Sequence, residues 1–200
     1  VLNSHTHFDH IGGNAEFRDI LAMDTDYTRN NIGGYSNELV REEISEEAIC
    51  GSLPSGINPT TYSTPSFTVK KYINDGYKID LGGRILEVLS TPGHTPDAIS
   101  LLDINLGLLW VGDIYYEGPI WLFVPETDLD EFYNSVNSLC NIVPHLRALY
   151  TAHNSPIAQP QSLYALKKAL INIKNGTIPG KAISGGRIEY FFQGFSLIIK

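Results

Sequence analysis

Three histidines and an aspartate fall within six residues, His5-Thr6-His7-Phe8-Asp9-His10. A hydrophobic core does not use such a run, because each imidazole would need a polar partner there. In an extended loop alternate side chains share a face. That predicts His5, His7 and Asp9 together, with a turn into the next helix carrying His10 to a second side. One short loop would then offer ligands to two neighbouring metal ions. Three further groups have the right chemistry to complete such a set. His94 lies in Thr91-Pro92-Gly93-His94-Thr95-Pro96, Asp113 follows an apolar run in Gly112-Asp113, and His153 follows Ala148-Leu149-Tyr150-Thr151-Ala152. All three are expected where the chain leaves a strand, which is where binding residues collect on sheet-based folds.

Imidazole and carboxylate are ordinary ligands of zinc, and a catalytic zinc keeps one position open for water. Two such ions about 3.5–4 Å apart can share a hydroxide and lower its pKa toward neutrality. A carboxylate such as Asp113 can bridge them. Iron or manganese tolerates the same ligands. His145, next to Pro144, has no place in this pattern and reads as a surface or helix-end residue. Asp97 reads as a helix cap rather than a catalytic acid.

The elements that must hold these groups follow from the patterning. Val1-Leu2-Asn3 reads as the end of a buried strand feeding the histidine run. Gly12 and Gly13 are expected to allow close backbone approach, with Asn14 capping a short helix. A helix over 37–50 has Leu39, Val40, Ile44, Ala48 and Ile49 on one stripe and Glu38, Glu42, Glu43, Glu46 and Glu47 on the other. Residues 52–66, rich in Pro, Ser, Thr and Gly, read as a long loop. Strands are predicted over 67–73 and 77–80 around an Asn74-Asp75-Gly76 turn, then over 84–90, 99–103 and 108–111. The last third is more helical. A capping box at 127–130 precedes Phe132, Val136 and Leu139. A helix over 161–175 carries the stripe Leu163, Leu166, Leu170 and Ile173, and Gly176 stops it. A hairpin around Gln193-Gly194 joins 188–192 to 195–199.

The chain has 200 residues, 42% of them apolar, and a formal charge of -8. This size suits one domain, 1–200. No apolar run is long enough to span a bilayer. The acidic balance argues against nucleic acid as a partner, since phosphate binding needs clustered cations. Lys70-Lys71 and Lys167-Lys168 read as solvated faces. Cys50 and Cys140 make no disulfide framework; both read as small buried hydrophobes in helices, which suits a reducing, cytoplasmic compartment.

The order His5-x-His7-x-Asp9-His10, His94, Asp113, His153, with Thr91-Pro92-Gly93-His94 and Gly112-Asp113 around two of the ligands, resembles the metallo-β-lactamase superfamily. The resemblance implies an α/β fold, an αβ/βα sandwich of two mixed sheets with outer helices and the metals at one sheet edge. It implies that His5, His7 and His94 hold one metal, that Asp9, His10 and His153 hold the other, and that Asp113 bridges two Zn2+. It also implies strands ahead of the first motif, so N-terminal strands are expected to be missing from this sequence.

The activity so implied is hydrolysis of an ester-type carbonyl compound, a thioester, lactone or ester, by a metal-bridged hydroxide. Asp9 would orient the nucleophile or pass on its proton. The apolar run 114–123 is expected to leave the metal edge as a loop, a wall for an acyl group. Within it Tyr115 or Tyr116 would bind substrate and donate to a developing oxyanion, while Trp121 and Phe123 pack in the core. Thr95-Pro96-Asp97 and the tyrosines are similar to acyl-CoA thioesterase-like members. A true β-lactamase is the alternative, although Asp113 stands where those enzymes carry Cys or Ser. An iron-dependent redox enzyme of the same fold is the alternative from another class.

Overall fold

The computed structural model describes residues 1–45 and 48–200. It divides into two compact units, Val1–Ile73 and Asn74–Lys200.

The first unit has short elements: α1 (Phe8–Ile11), β1 (Leu21–Met23), α2 (Asp26–Asn31), α3 (Asn37–Val40) and β2 (Lys71–Ile73). β1 and β2 pair in parallel, Ala22 opposite Tyr72, and the expected strand at the N-terminus is a single bridge from Leu2 to Leu21. Ile11, Ile20 and Phe67 form the buried centre, with Ile32, Tyr35 and Val69 packed against it. Thr25 caps α2 by accepting from the Thr28 amide at 3.0 Å.

Several expectations for this unit are corrected. The helix over 37–50 stops at Val40, and 41–45 are turns. Helices draw most of their stability from a packed apolar face, and here Val40 is buried while Leu39 is 67% exposed. Glu38 and Glu42 also stand four apart, a like-charge pair that opposes helix. Glu46 and Glu47 lie outside the described residues. Cys50 is exposed. Of the strand over 67–73 only β2 forms. Asn14 opens a single 3-10 turn and donates its amide to Asn3 Oδ1 at 2.9 Å rather than capping a helix. A Cβ on Gly13 would meet nothing within 4 Å, so no close approach requires that glycine.

The second unit holds both larger sheets. Its elements are β3 (Lys78–Asp80), β4 (Ile85–Ser90), β5 (Ile99–Asp103), β6 (Leu108–Gly112), β7 (Gly118–Leu122), α4 (Leu129–Cys140), β8 (Ala148–Thr151), β9 (Ile157–Ala158), α5 (Ser162–Lys174), β10 (Lys181–Ile183), β11 (Arg187–Phe191) and β12 (Phe195–Ile199). One sheet runs β3-β4-β5-β6-β8-β9, the other β10-β11-β12-β7. Each is mixed: β6/β8 and β7/β12 are parallel, and the other pairs are antiparallel. The fold is therefore α/β with two mixed sheets, as the resemblance implies.

One core serves both sheets and both helices. Leu109 and Leu149 come from the larger sheet, Ile120 and Leu197 from the smaller, Phe132 and Val136 from α4, and Leu163 and Leu166 from α5. Each such side chain contributes roughly 1.5–3 kcal/mol by leaving water. The stripe of α5 faces this core, and Gly176 follows the helix at φ +62. Cys140 is buried and donates its thiol to the Leu163 carbonyl.

Three expectations change here. The hairpin around 74–76 does not form between the predicted strands, because β3 pairs with β4 and the Gly76 amide donates to Val88 O at 2.8 Å. The cap of α4 is Asp128, whose Oδ1 accepts from the amides of Asp130 and Glu131. The run 114–123 is not a loop: its second half is β7. The two-residue period of a strand sends Ile120 and Leu122 into the core and leaves Trp121 37% exposed, where core packing was expected. Among the described residues no helix is long and apolar enough to cross a membrane.

Candidate metal centre

In the first unit, α1 begins inside the histidine run, with His7 as its N-cap residue. The amides of His10 and Ile11 both donate to His7 O. This turn places Asp9 and His10 on the helix, so the alternation expected for an extended loop ends at His7. His5 Nε2 and His7 Nδ1 are 3.0 Å apart. The rings of His5 and His10 have centroids 4.0 Å apart, and Asp9 Oδ2 lies 3.4 Å from His10 Nε2. Ser4 Oγ lies 3.1 Å from His5 Nδ1 and 3.3 Å from His10 Nδ1, tying two of the rings together from behind. Asn3 donates to the His10 carbonyl, and Tyr35 donates its hydroxyl to Thr6 O at 3.0 Å.

In the second unit, His94, Asp113 and His153 come together from loops after β4, β6 and β8. Asp113 Oδ2 is 3.6 Å from His94 Nε2 and 3.2 Å from His153 Nε2. His94 and Asp113 are buried, and His153 is more open. His94 Nδ1 is 3.0 Å from the Trp121 carbonyl. A carbonyl only accepts, so Nδ1 carries the proton, and Nε2, on the side of the carboxylate, is the nitrogen left for a metal. Metal-binding imidazoles are commonly fixed in this way by a partner on the far nitrogen.

The loop bearing His94 is held along three consecutive residues by α4 and the two residues that lead into it. Ser135 Oγ donates to Pro92 O at 2.7 Å, the Asp128 amide to Gly93 O at 2.9 Å, and Thr127 Oγ1 to His94 O at 3.4 Å. These supports, and the Trp121 carbonyl, were not predicted from the sequence. A cap residue ahead of an amphipathic helix was visible there, but not the loop that it meets. Asp97 caps no helix. It is buried and accepts from Thr95 Oγ1 at 2.7 Å. His145 is exposed at the end of a 3-10 turn, as expected.

The donor chemistry of both units fits divalent ions. Two imidazole nitrogens on one zinc, each at about 2.0–2.1 Å, are held roughly 3.3 Å apart, close to the His5–His7 spacing of 3.0 Å. In the second unit one carboxylate oxygen lies between two imidazole nitrogens, an arrangement that a shared cation charge stabilises. Tyr115 is buried in the core, its ring edge-on to Phe195 at 5.6 Å. Tyr116 is also buried, and its ring meets that of His153 edge-on at 5.1 Å.

Comparison with known proteins gives a consistent picture. The family model described as the metallo-beta-lactamase superfamily matches residues 1–178. The acyl-coenzyme A thioesterase MBLAC2 of Gallus gallus is 26% identical over 143 residues, covering 72% of this chain and 51% of that protein. The chain thus spans about half the length of the curated relatives it matches. A metallo-beta-lactamase family protein from Thermus thermophilus superposes with a TM-score of 0.61 at 19% identity, covering 90% of this chain and 64% of that one. Another solved structure, of a protein in a di-iron-bound form, gives 0.56 at 20% identity over 82% of this chain and 73% of that one.

Proposed function

The chain belongs to the metallo-beta-lactamase superfamily, and from that premise we propose that it serves a dinuclear metal hydrolase acting on a thioester. His5, His7 and His94 would hold one ion, Asp9, His10 and His153 the other, and Asp113 would bridge them. The observation that carries this reading is the place of Asp113, with one oxygen between His94 and His153, the two histidines assigned to different ions. When bound, the ions supply Lewis acidity at the substrate carbonyl and a water acidic enough to attack at neutral pH.

The side chains define the rest of the chemistry. Asp113 and Asp9 bring negative charge that offsets that of the cations. The Trp121 carbonyl keeps the proton of His94 on Nδ1, so that Nε2 remains a donor of electrons. Asp9, beside His10 and 37% exposed, would orient the nucleophile or take up its proton. Zinc is the expected metal on ligand type. Iron is the competing identity, and a similar fold has been solved in a di-iron-bound form.

A thioester is favoured among carbonyl substrates because the chain resembles an acyl-coenzyme A thioesterase over 143 residues. An apolar acyl group is the expected small-molecule partner. The thiols of Cys50 and Cys140 are unpaired, which favours a reducing, cytoplasmic setting.

The test is a panel of acyl-CoA thioesters, lactones, aryl esters and a chromogenic cephalosporin, run on protein of measured metal content. Thioester turnover with two zinc ions per chain is expected. Turnover of the cephalosporin alone would reassign the protein as a β-lactamase. Full thioesterase activity in metal-free protein would refute the mechanism, and iron with redox activity would move it to the other class.

A further inference from the structure

We infer that Tyr116, with Asn154, is a positioning residue that sets the geometry of both His94 and His153. The inference rests on the reading of these histidines as metal ligands. It starts from a chain of contacts inside the second unit. The amide of Trp121 donates to the Tyr116 hydroxyl at 3.3 Å. The carbonyl of the same Trp121 accepts from His94 Nδ1 at 3.0 Å. The Tyr116 ring in turn lies edge-on to His153, with centroids 5.1 Å apart. One side chain therefore touches one histidine directly and reaches the other through the backbone of a single residue.

The segment after Tyr116 is tied to the residues after His153. Asn154 donates its side-chain amide to Glu117 O at 2.5 Å, and Ser155 Oγ donates to the Glu117 carboxylate at 2.6 Å. Asn154 has φ +59, and among the described residues it is the non-glycine residue recorded at positive φ. Asparagine tolerates that conformation better than most residues. Gly118 sits opposite, and a Cβ there would fall 2.6 Å from Asn154 Nδ2. Residues 116–118 and 153–155 thus form one lock. Rotating His153 would disturb the Tyr116 ring, and displacing the ring would loosen the Trp121 peptide on which His94 depends. The Tyr116 side chain is 5% exposed, and its hydroxyl oxygen accepts from the protein's own backbone.

The experiment uses Tyr116→Phe, which keeps the ring against His153 and removes the hydroxyl. Amide hydrogen exchange at Trp121 in metal-free protein reads the first link without any reference to metal. Loss of one hydrogen bond should speed that exchange about tenfold. Zinc affinity by chelator competition should fall about 10–100-fold, the usual effect of removing a partner of the ligands. Asn154→Gly, which accepts the same φ, should weaken zinc binding in the same direction while the urea midpoint stays near that of the parent. Wild-type zinc affinity in both variants would overturn the inference. So would Tyr116→Phe that binds zinc normally but loses kcat, because that marks an oxyanion donor. A parent protein that takes up no zinc would overturn the ligand reading itself. It is told apart because the Trp121 exchange result does not depend on metal.

Discussion

A Cβ on Gly93 would lie 2.1 Å from the backbone nitrogen of Phe132. The loop that presents His94 therefore rests directly against the first turn of α4, with no side chain between them. Gly93 also has φ +125, a conformation that L side chains rarely adopt. Gly93→Ala should cost at least the roughly 1–3 kcal/mol of such backbone strain, and more because α4 must shift. A urea midpoint well below the parent's, together with weakened zinc binding, is the expected result. An unchanged midpoint would mean that the contact between loop and helix is not structural.

The cap of α4 gives a second, milder test of the same support. Asp128 satisfies the amides of Asp130 and Glu131 at 3.0 and 2.9 Å, and its own amide holds Gly93 O. Asp128→Ala should lower stability by about 1 kcal/mol. Asn is an equally good cap, so Asp128→Asn should restore most of the loss. Equal destabilisation by both would show that capping is not what the residue supplies.

Asp103 predicts a pH dependence. It is buried at the end of β5, accepts from the Leu106 amide at 2.9 Å, and pairs with Arg84 at 2.5 Å. The Leu106 hydrogen bond first, and then Arg84, hold its carboxyl below the ordinary value of 3.8. A depressed pKa stabilises the fold above the unfolded value, and that contribution is lost as pH falls through the folded one. Asp103→Asn should therefore lower Tm at neutral pH. The gap to the parent should close as pH drops below 3.8. A gap that persists undiminished in acid would rule out ionisation as its source.

The two late histidines separate ligand from bystander. His153→Ala should remove about one equivalent of bound zinc by elemental analysis, together with thioester turnover. His145→Ala, exposed at the end of its 3-10 turn, should retain both. Loss of metal in the His145 variant would break the assignment of ligands.

Much of the second unit was legible in the sequence because its signals are local. The stripe of α5 ends at Gly176, the turn at Gln193-Gly194 joins β11 to β12, and each of His94, Asp113 and His153 follows a strand. The first unit was less legible. The residues predicted as one long helix carry a periodic stripe, yet little of it is buried, and periodicity alone does not report what an element packs against. The run 114–123 failed for a related reason: a string of apolar residues hides the two-residue alternation that makes Trp121 an outward position in β7.

By itself the sequence determined the chemistry: which residue types stand in which order, and hence that imidazoles and carboxylates are available to divalent metal. Only the tertiary structure decided how they are aimed. Whether His94 presents Nδ1 or Nε2 depends on the Trp121 carbonyl, 27 residues away. Whether Asp113 serves one histidine or two depends on the parallel pairing of β6 with β8. Such relations join residues distant in sequence through hydrogen bonds and packing, and no local pattern encodes them.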